Sequence, residues 1–409
     1  MQRRDQSIPD LFADVGDEGE APASPAAVAR VVIPATVDRP FDYAVPAALD
    51  GALRPGRRVV VPFGRRTVTG FVLDLQETSD VAPGRLREIL SLAPEPALMP
   101  PAVLELCLWA ARYYQVPIAE VLKAALPPAT AGEGDGVPTR QWVVPDADAV
   151  VPEDLTGRRQ ELWQALCDLG PVPVAEAVIA LATTRPTLLA LAAAGLVRLE
   201  GRPHIVGLET AGVGEGRVHT LTREQEAAFA ALRTALGAPH PRPHLLHGVT
   251  GSGKTEVYLR LAEEVIAAGR QILVLVPEIG LTPQVAGQFL ARFGARVAVQ
   301  HSGLSAGQRR AQWQQIAEGR VAVVVGTRSA VFAPLPELGL IVVDEEHDTA
   351  YKQEESPRYN GRDLALARGQ RCGALVVLGS ATPSFEALHG AATGRYQRLG
   401  MRGRATGRD

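Results

Sequence analysis

Six short, largely apolar segments alternate with helical patterns between residues 244 and 382. They read HLLHG, QILVLVP, VAVQHSG, VAVVVG, LGLIVVDE and ALVVLGSAT, and valine, leucine and isoleucine dominate them. Such runs are typical of strands buried on both faces, because helices cover both sides of a parallel sheet. The alternation therefore predicts a doubly wound α/β domain over residues 217–400.

The rest of the chain divides into segments of different composition. Residues 1–26 are acidic and rich in proline and alanine, which predicts a disordered tail. Residues 27–98 contain β-branched runs such as VARVVIPA and RRVVVPFG between turn residues, which predicts a small N-terminal β-barrel-like domain. Residues 99–206 show helical spacing and then GLVRLEGRPHIVG, which fits a helical linker and a winged-helix-like domain, although many small helical domains share that pattern. Residues 401–409 are expected to be a tail. The predicted fold class is multidomain α/β.

Composition narrows the class of protein without identifying a ligand. The chain has 409 residues, of which 46% are apolar and 21% are charged, and its net charge is −3. An overall charge near zero gives no indication of a nucleic-acid partner. Cys107, Cys167 and Cys372 lie far apart, which indicates neither a disulfide framework nor a zinc cluster. No stretch approaches the roughly 18 apolar residues of a membrane span, so we expect a cytoplasmic protein and no membrane partner.

A glycine-rich motif, GVTGSGKT, lies between the apolar run HLL and the helical run EVYLRLAEEV. Its glycines let backbone N–H groups turn toward phosphates, and the following helix N-terminus favours negative charge. Lys254 is expected to reach the β- and γ-phosphates, and Thr255 to bind magnesium. The predicted ATP-binding residues here are Gly248, Val249, Thr250, Gly251, Ser252, Gly253, Lys254, Thr255 and Glu256.

Two adjacent carboxylates, Asp344 and Glu345, end the apolar run LIVV. Hydrolysis of a phosphoanhydride needs one group on the metal and one on the attacking water. We therefore assign Asp344 to magnesium, together with Thr255, and Glu345 to the water. With Lys254 these carboxylates form the predicted catalytic set of an enzyme that uses ATP and Mg²⁺.

A third motif, GSATPS, follows the next apolar run, and with it the chain resembles superfamily 2 helicases. The resemblance makes Ser380, Ala381 and Thr382 the residues that couple the γ-phosphate to other parts of the motor. It also makes Gln225 an adenine-reading residue, unless it is simply a surface glutamine on a helix. Four residues at strand ends resemble the helicase motifs that grip a DNA backbone: Thr282, Gln284, Thr327 and Arg328.

The combination of PEIGLTPQ, GTRSAVFAPL and DEEHDTAYKQEESPRYNGRD is similar to the primosomal protein N′ (PriA) family of replication-restart helicases. That family implies one RecA-like helicase lobe here, and a loop after Asp344 that binds single-stranded DNA. Aromatic and cationic residues would stack on bases and neutralise phosphates there, unless the segment is an ordinary solvated loop: Tyr351, Lys352, Arg358 and Tyr359. The resemblance extends to FDYAVP, where Phe41, Asp42 and Tyr43 would form a pocket for a DNA 3′ end rather than plain barrel core.

The same resemblance implies partners and missing parts. Forked and single-stranded DNA, other primosome proteins and single-stranded DNA-binding protein are the expected partners. Gln6 to Phe12 loosely resembles peptides that dock on sliding clamps. Family members continue into a second lobe with a zinc-binding cysteine cluster, so the chain, which stops at Asp409, is expected to lack that lobe and the zinc ligands.

The sequence thus predicts an ATP-dependent DNA helicase or translocase that recognises stalled forks and promotes primosome assembly. An alternative is an ATPase-poor, structure-specific DNA-binding platform for primosome loading, because the second motor lobe is absent. Another superfamily 2 motor, such as a recombination-fork or restriction-type translocase, is disfavoured by the FDY barrel.

Overall fold

The structure is a computed structural model, and it describes residues 28–34, 39–93, 99–127, 139–146, 149, 157–203, 220–277, 282–301 and 303–405. The predicted tail, with its clamp-like segment Gln6 to Phe12, lies outside the described residues. The chain divides into two units. The first contains residues 1–127, 210–302 and 313–409, and the second contains residues 128–209 and 303–312.

The first unit begins with an antiparallel sheet whose strand order is β2-β1-β4-β3-β5. Its strands are β1 (Val28–Val32), β2 (Phe41–Ala44), β3 (Arg58–Phe63), β4 (Arg66–Gln76) and β5 (Ser91–Leu92). The segment before β5 also bonds to β2, because Ala44 N donates to Arg87 O at 2.9 Å and Ile89 N donates to Ala44 O at 3.1 Å. These bonds join the two ends of the sheet, so the predicted barrel-like fold is confirmed.

Two helices follow this sheet, α1 (Pro101–Tyr113) and α2 (Ile118–Ala125). Pro101 occupies the first position of α1, where its fixed φ suits the helix and its missing N–H costs no bond. Leu106 and Leu122 are fully buried in the same hydrophobic core as residues of the α/β domain. Packing therefore groups these helices with the first unit.

The second unit contains three helices and a small antiparallel sheet with the order β7-β6-β8. Its core includes Leu166, Leu188 and Leu196, all fully buried, which is the arrangement expected of a winged-helix-like fold. Within the described ranges, no single helix has the length and hydropathy to cross a membrane, although the pair Val174–Ala180 and Arg185–Ala193, bent by 111°, passes that test jointly. The elements are β6 (Thr139–Pro145), α3 (Arg158–Leu169), β7 (Val172–Pro173), α4 (Val174–Ala180), α5 (Arg185–Ala193) and β8 (Val197–Pro203).

The α/β domain of the first unit is built on a parallel sheet with the order β11-β12-β10-β13-β14-β9-β15. This is the doubly wound, RecA-like lobe that the apolar runs predict. Its strands are β9 (His244–Gly248), β10 (Gln271–Leu275), β11 (Val297–Gln300), β12 (Val323–Gly326), β13 (Leu338–Val343), β14 (Leu375–Ser380) and β15 (Gln397–Met401). Its helices are α6 (Arg223–Leu236), α7 (Lys254–Ala267), α8 (Thr282–Phe293), α10 (Gly361–Cys372) and α11 (Phe385–Ala392). Helix α9 (Ala306–Ala317) is divided between the units, since its residues 306–312 fall in the second unit and the rest in the first.

Two separate hydrophobic cores cover the two faces of this sheet. Along β10, Leu273 and Leu275 belong to one core, and Ile272 and Val274 belong to the other. All four side chains are fully buried. Burial on both faces explains why these strands read as continuous apolar runs, since neither face has to be compatible with water.

The edge strand β15 extends beyond the predicted end of the lobe at residue 400. Met401 pairs with Gly248 in the register of the two strands, and Ala405 N donates to Gly251 O at 2.9 Å. The predicted C-terminal tail therefore begins inside a strand that borders the glycine-rich loop. Most side chains of β15 are exposed or half-buried, so the strand lacks the apolar run that marks the others.

Candidate active site

The glycine-rich loop connects β9 to α7 and encloses the side chain of Lys254. Gly251 and Gly253 have φ values of +79° and +80°, a left-handed conformation that glycine adopts without steric cost. Lys254 Nζ donates to Gly248 O at 2.9 Å and lies 3.7 Å from Glu345 Oε1. An ammonium has three donors, so Lys254 can hold this geometry and still donate to phosphate oxygens.

Gln225 is tied to the same loop from the start of α6. Thr222 caps this helix in a reciprocal capping box with Gln225, and Gln225 Nε2 donates to Ser252 O at 2.9 Å. A Cβ at Gly253 would lie 2.2 Å from Gln225 Nε2, so only glycine leaves room for the contact. Gln225 is not a surface glutamine, the alternative considered above, because its side chain is buried against the glycine-rich loop.

Asp344 and Glu345 follow β13 at the same edge of the sheet. Tyr258 donates its hydroxyl to Asp344 Oδ1 at 3.1 Å. Burial, and then the neighbouring Glu345 charge, raise the pKa of Asp344 to about 6, while Lys254 and the Tyr258 hydrogen bond oppose the rise. Glu345 has a φ of +45°, which is uncommon for a residue with a side chain and often marks a functional position.

His347 connects these carboxylates to the GSATPS motif. Its Nδ1 lies 2.8 Å from Ser380 Oγ and 3.7 Å from Glu345 Oε2, and its Nε2 lies 3.3 Å from Thr382 Oγ1. Ser380 Oγ also accepts a 3.0 Å hydrogen bond from Thr382 N. The structure thus brings Ser380 and Thr382, two of the predicted coupling residues, close to Glu345 through a histidine to which sequence reasoning assigned no role.

Glu346 forms a second connection that sequence reasoning missed. Its side chain is fully buried and accepts hydrogen bonds from Ser384 N at 2.7 Å, Ser384 Oγ at 2.9 Å and Arg362 Nη1 at 3.2 Å. A buried carboxylate needs such partners, because an uncompensated buried charge is costly. The one available signal was the run of three acidic residues in DEEH, but its partners are distant in sequence.

The arrangement fits a magnesium nucleotide. A divalent cation beside Asp344 would favour the ionised carboxylate that burial disfavours, and Lys254 supplies a charge for phosphates. Within the described part of the chain, no group of three or more His, Cys, Asp and Glu side chains could hold another metal.

Arg328 is occupied by the loop that follows the DEEH motif. Its Nη1 donates to Ala350 O at 3.1 Å and to Lys352 O at 2.5 Å. The Arg328 guanidinium, which was predicted to bind the DNA backbone, therefore also uses its N–H groups to hold the protein backbone. These bonds fix the backbone of the loop shortly after the predicted catalytic carboxylates.

Tyr351 and Tyr359 do not present their rings to solvent, in contrast to the predicted base stacking. They are 1% and 3% exposed. The Tyr351 hydroxyl donates to Leu275 O at 2.9 Å and to Asp344 O at 2.6 Å, and the Tyr359 ring packs edge-on against Phe332 at 5.4 Å. In this structure both rings belong to the core, because the loop folds back over the strand ends.

The other predicted DNA contacts differ in accessibility. Lys352 and Arg358 are exposed, although Lys352 Nζ donates to Arg358 O at 2.6 Å. Gln284 is exposed and Thr327 is half-buried. The side chain of Thr282 lies outside the described residues, so DNA contact through it stays a prediction, as it does for the other four.

The FDY segment is ordered by contacts within the N-terminal sheet. Asp42 accepts hydrogen bonds from Arg30 Nε at 3.1 Å and Ser79 Oγ at 2.6 Å. Tyr43 is buried and donates to Pro62 O at 3.1 Å. Phe41 is half-buried, whereas the side chain of Asp42 is only 9% exposed, so Phe41 is the most accessible of the three for a terminal nucleotide.

Comparison with known proteins assigns this combination of domains. Residues 222–389 match the family model described as DEAD/DEAH box helicase, and residues 30–127 match the 3′ DNA-binding domain (3′BD). "Replication restart protein PriA" of Bacillus subtilis is 33% identical over 442 residues, which cover 91% of this chain and 55% of the relative. The chain belongs to the PriA family. The PriA of Haemophilus influenzae is 37% identical over 389 residues, which cover 92% of this chain and 52% of that protein.

The chain spans about half the length of these curated PriA relatives. The PriA of Synechocystis is 43% identical over a shorter stretch of 221 residues, which covers 54% of this chain and 26% of the relative. Among solved structures, the Mycobacterium smegmatis helicase Lhr bound to ssDNA and AMP-PNP overlaps 45% of this chain and 26% of that one, with a TM-score of 0.35 and 22% identity. The 3′BD match ends at residue 127, so it includes α1 and α2 as well as the barrel-like sheet.

Proposed function

We propose that this chain contains the ATP-hydrolysing lobe of a replication-restart DNA helicase, with a domain that recognises a DNA 3′ end at a stalled fork. The observation that carries the proposal is the connected set at one sheet edge. Lys254 meets Glu345 at 3.7 Å, and His347 links Glu345 to Ser380. A lysine for the phosphates and a carboxylate for the attacking water, connected through a histidine to a hydroxyl, are groups that a coupled NTPase can use.

The residues divide the chemistry among them. Lys254 neutralises the phosphates as a point charge, and Thr255 with Asp344 would hold the magnesium, which neutralises charge on the β- and γ-phosphate oxygens. Glu345 orients the attacking water and accepts its proton. His347 transmits a shift of Glu345 to Ser380 and Thr382, so the GSATPS motif responds to the state of the γ-phosphate.

The proposed partners follow from the family. PriA relatives are named for replication restart, and the 3′BD match supports forked DNA as the substrate. Primosome proteins, single-stranded DNA-binding protein and a sliding clamp at Gln6 to Phe12 are further proposed partners. We propose the cytoplasm as the location, because chromosomal forks are processed there in bacteria.

A second candidate function is a structure-specific DNA-binding platform for primosome loading that hydrolyses ATP poorly. It is favoured by one observation, the match of residues 30–127 to a 3′ DNA-binding domain that lies outside the helicase match at residues 222–389. The two candidates differ in turnover. A motor lobe should hydrolyse ATP faster when forked DNA is added, whereas a platform should bind ATP and the fork without that stimulation.

The test is Lys254→Ala, with Lys123→Ala as the matched control, since Lys123 is an exposed lysine on α2. We expect Lys254→Ala to abolish fork-stimulated ATP hydrolysis and to leave fork affinity within about tenfold, roughly 1.4 kcal/mol. Lys123→Ala should hydrolyse ATP like the wild type. Steady-state hydrolysis and fluorescence anisotropy on a labelled fork are the measurements. Full hydrolysis by Lys254→Ala would refute the assignment, and a larger loss of fork affinity would refute independent DNA binding.

A further inference from the structure

Tyr258 lies on the helix that begins with the phosphate-binding lysine, yet it contacts the carboxylate on the neighbouring strand. It is one helical turn after Lys254 in α7, so both side chains leave the helix on the same side. Its side chain is fully buried, and its hydroxyl donates to Asp344 Oδ1 at 3.1 Å. Burial and the nearby Asp344 raise the pKa of Tyr258 well above its ordinary value, so the phenol remains a hydrogen-bond donor.

Gly379 makes room for this contact from a third element, β14. A Cβ built at Gly379 would lie 1.8 Å from the Tyr258 hydroxyl oxygen, 3.0 Å from its Cζ and 3.2 Å from Asp344 Oδ1. Gly379 does not have a positive φ, so its backbone conformation does not require glycine. The absence of a side chain at Gly379 is instead a steric condition for the Tyr258–Asp344 hydrogen bond.

We propose that Tyr258 is the positioning residue for Asp344, and that the missing side chain at Gly379 leaves the room that the Tyr258 hydroxyl needs. By fixing one carboxylate oxygen, the phenol sets the direction in which the other oxygen faces the magnesium nucleotide. Because Tyr258 is on α7, it also fixes Asp344 relative to Lys254 and Thr255. This inference rests on the proposed function, since it concerns the same ATP site.

A second buried tyrosine provides the matched control. Tyr351 donates its hydroxyl to Asp344 O and Leu275 O, which are main-chain carbonyls, and not to the carboxylate. Tyr258→Phe and Tyr351→Phe each remove one buried hydroxyl beside Asp344 and keep the ring. Only Tyr258→Phe removes a donor from the side chain that would face the metal.

The first experiment measures binding of a fluorescent ATP analogue with the full chain, in EDTA and across a magnesium titration. We expect Tyr258→Phe to bind the analogue in EDTA within about twofold of wild type, and to need about three- to tenfold more magnesium for half-maximal binding, the range expected for one lost hydrogen bond. Tyr351→Phe should keep the wild-type magnesium dependence. An unchanged magnesium dependence in Tyr258→Phe, or equal weakening with and without magnesium, would overturn the positioning role.

The second experiment tests the contact without nucleotide, through a double-mutant cycle on stability. Gly379→Ala should lower the urea midpoint, because its Cβ overlaps the phenol oxygen. Adding Tyr258→Phe should restore part of that midpoint, since it removes the overlapping atom. Additive effects of the two substitutions would show that they do not meet. If wild type binds no magnesium nucleotide, the proposed function fails and the positioning role with it, while the cycle still reports the contact.

Discussion

Replacing Asp344 with asparagine is expected to stabilise the protein when magnesium and nucleotide are absent. Asp344 is buried, and its pKa is raised from 3.8 to about 6. This rise in pKa corresponds to roughly 3 kcal/mol, because each tenfold change in proton affinity is worth about 1.4 kcal/mol. The folded protein bears this cost at neutral pH to keep a carboxylate where a metal-dependent reaction needs one, and a neutral amide removes it.

The pH dependence follows from the direction of the shift. Between pH 3.8 and about 6 the unfolded chain has lost the Asp344 proton while the folded protein retains it. The stability of the folded state therefore falls as pH rises through this window, and the penalty is constant above it. The advantage of Asp344→Asn should be greatest near about pH 8 and should shrink by about half near about pH 5.

Urea unfolding in EDTA at these two pH values measures the effect, with Glu354→Gln as the control for removing an exposed carboxylate. Glu354→Gln should show no comparable change between the two pH values. With saturating magnesium nucleotide the order should reverse, because the ligand stabilises the wild type and binds the variant weakly. A variant that is less stable than wild type in EDTA near about pH 8 would refute the account of Asp344.

Two further predictions concern residues outside the ATP site. Arg368 is fully buried and donates to Val331 O at 2.6 Å and Ala333 O at 2.7 Å. Arg368→Met should lower the free energy of unfolding by about 2 kcal/mol, because both carbonyl oxygens lose their hydrogen-bond donor. A urea midpoint equal to wild type would contradict this. Asp42→Ala should remove the preference for a fork with a free 3′-OH over one with a 3′-phosphate, because the carboxylate repels the added charge, while salt-dependent binding persists. Anisotropy titrations of both forks at two salt concentrations test this, and equal wild-type affinities would exclude a 3′-end pocket here.

The sequence predicted the central strands and the phosphate loop because both depend on local patterns. An apolar run such as that of β13 fits a sheet covered on both faces, and the spacing of Gly251, Gly253 and Lys254 fits one loop conformation. The edge strand β15 was not predicted, because most of its side chains are in contact with water and its apolar pattern is therefore weak. The ion pair of Glu346 and Arg362 was not predicted, because it depends on how the folded chain brings the two residues together, and residue spacing does not reveal that.

The tyrosines of the loop after DEEH show where composition misleads. A ring that stacks on a base and a ring that packs in a core both lie among cations and polar neighbours, so the sequence looks the same. Exposing a buried ring costs about 2–3 kcal/mol, which is as much as the roughly 1–3 kcal/mol that one base stack provides. Tyr351 would also lose its bonds to two carbonyls, one of them that of Asp344. The balance favours both rings inside, and we propose Lys352 and Arg358, which are exposed, as side chains of this loop that meet a DNA phosphate.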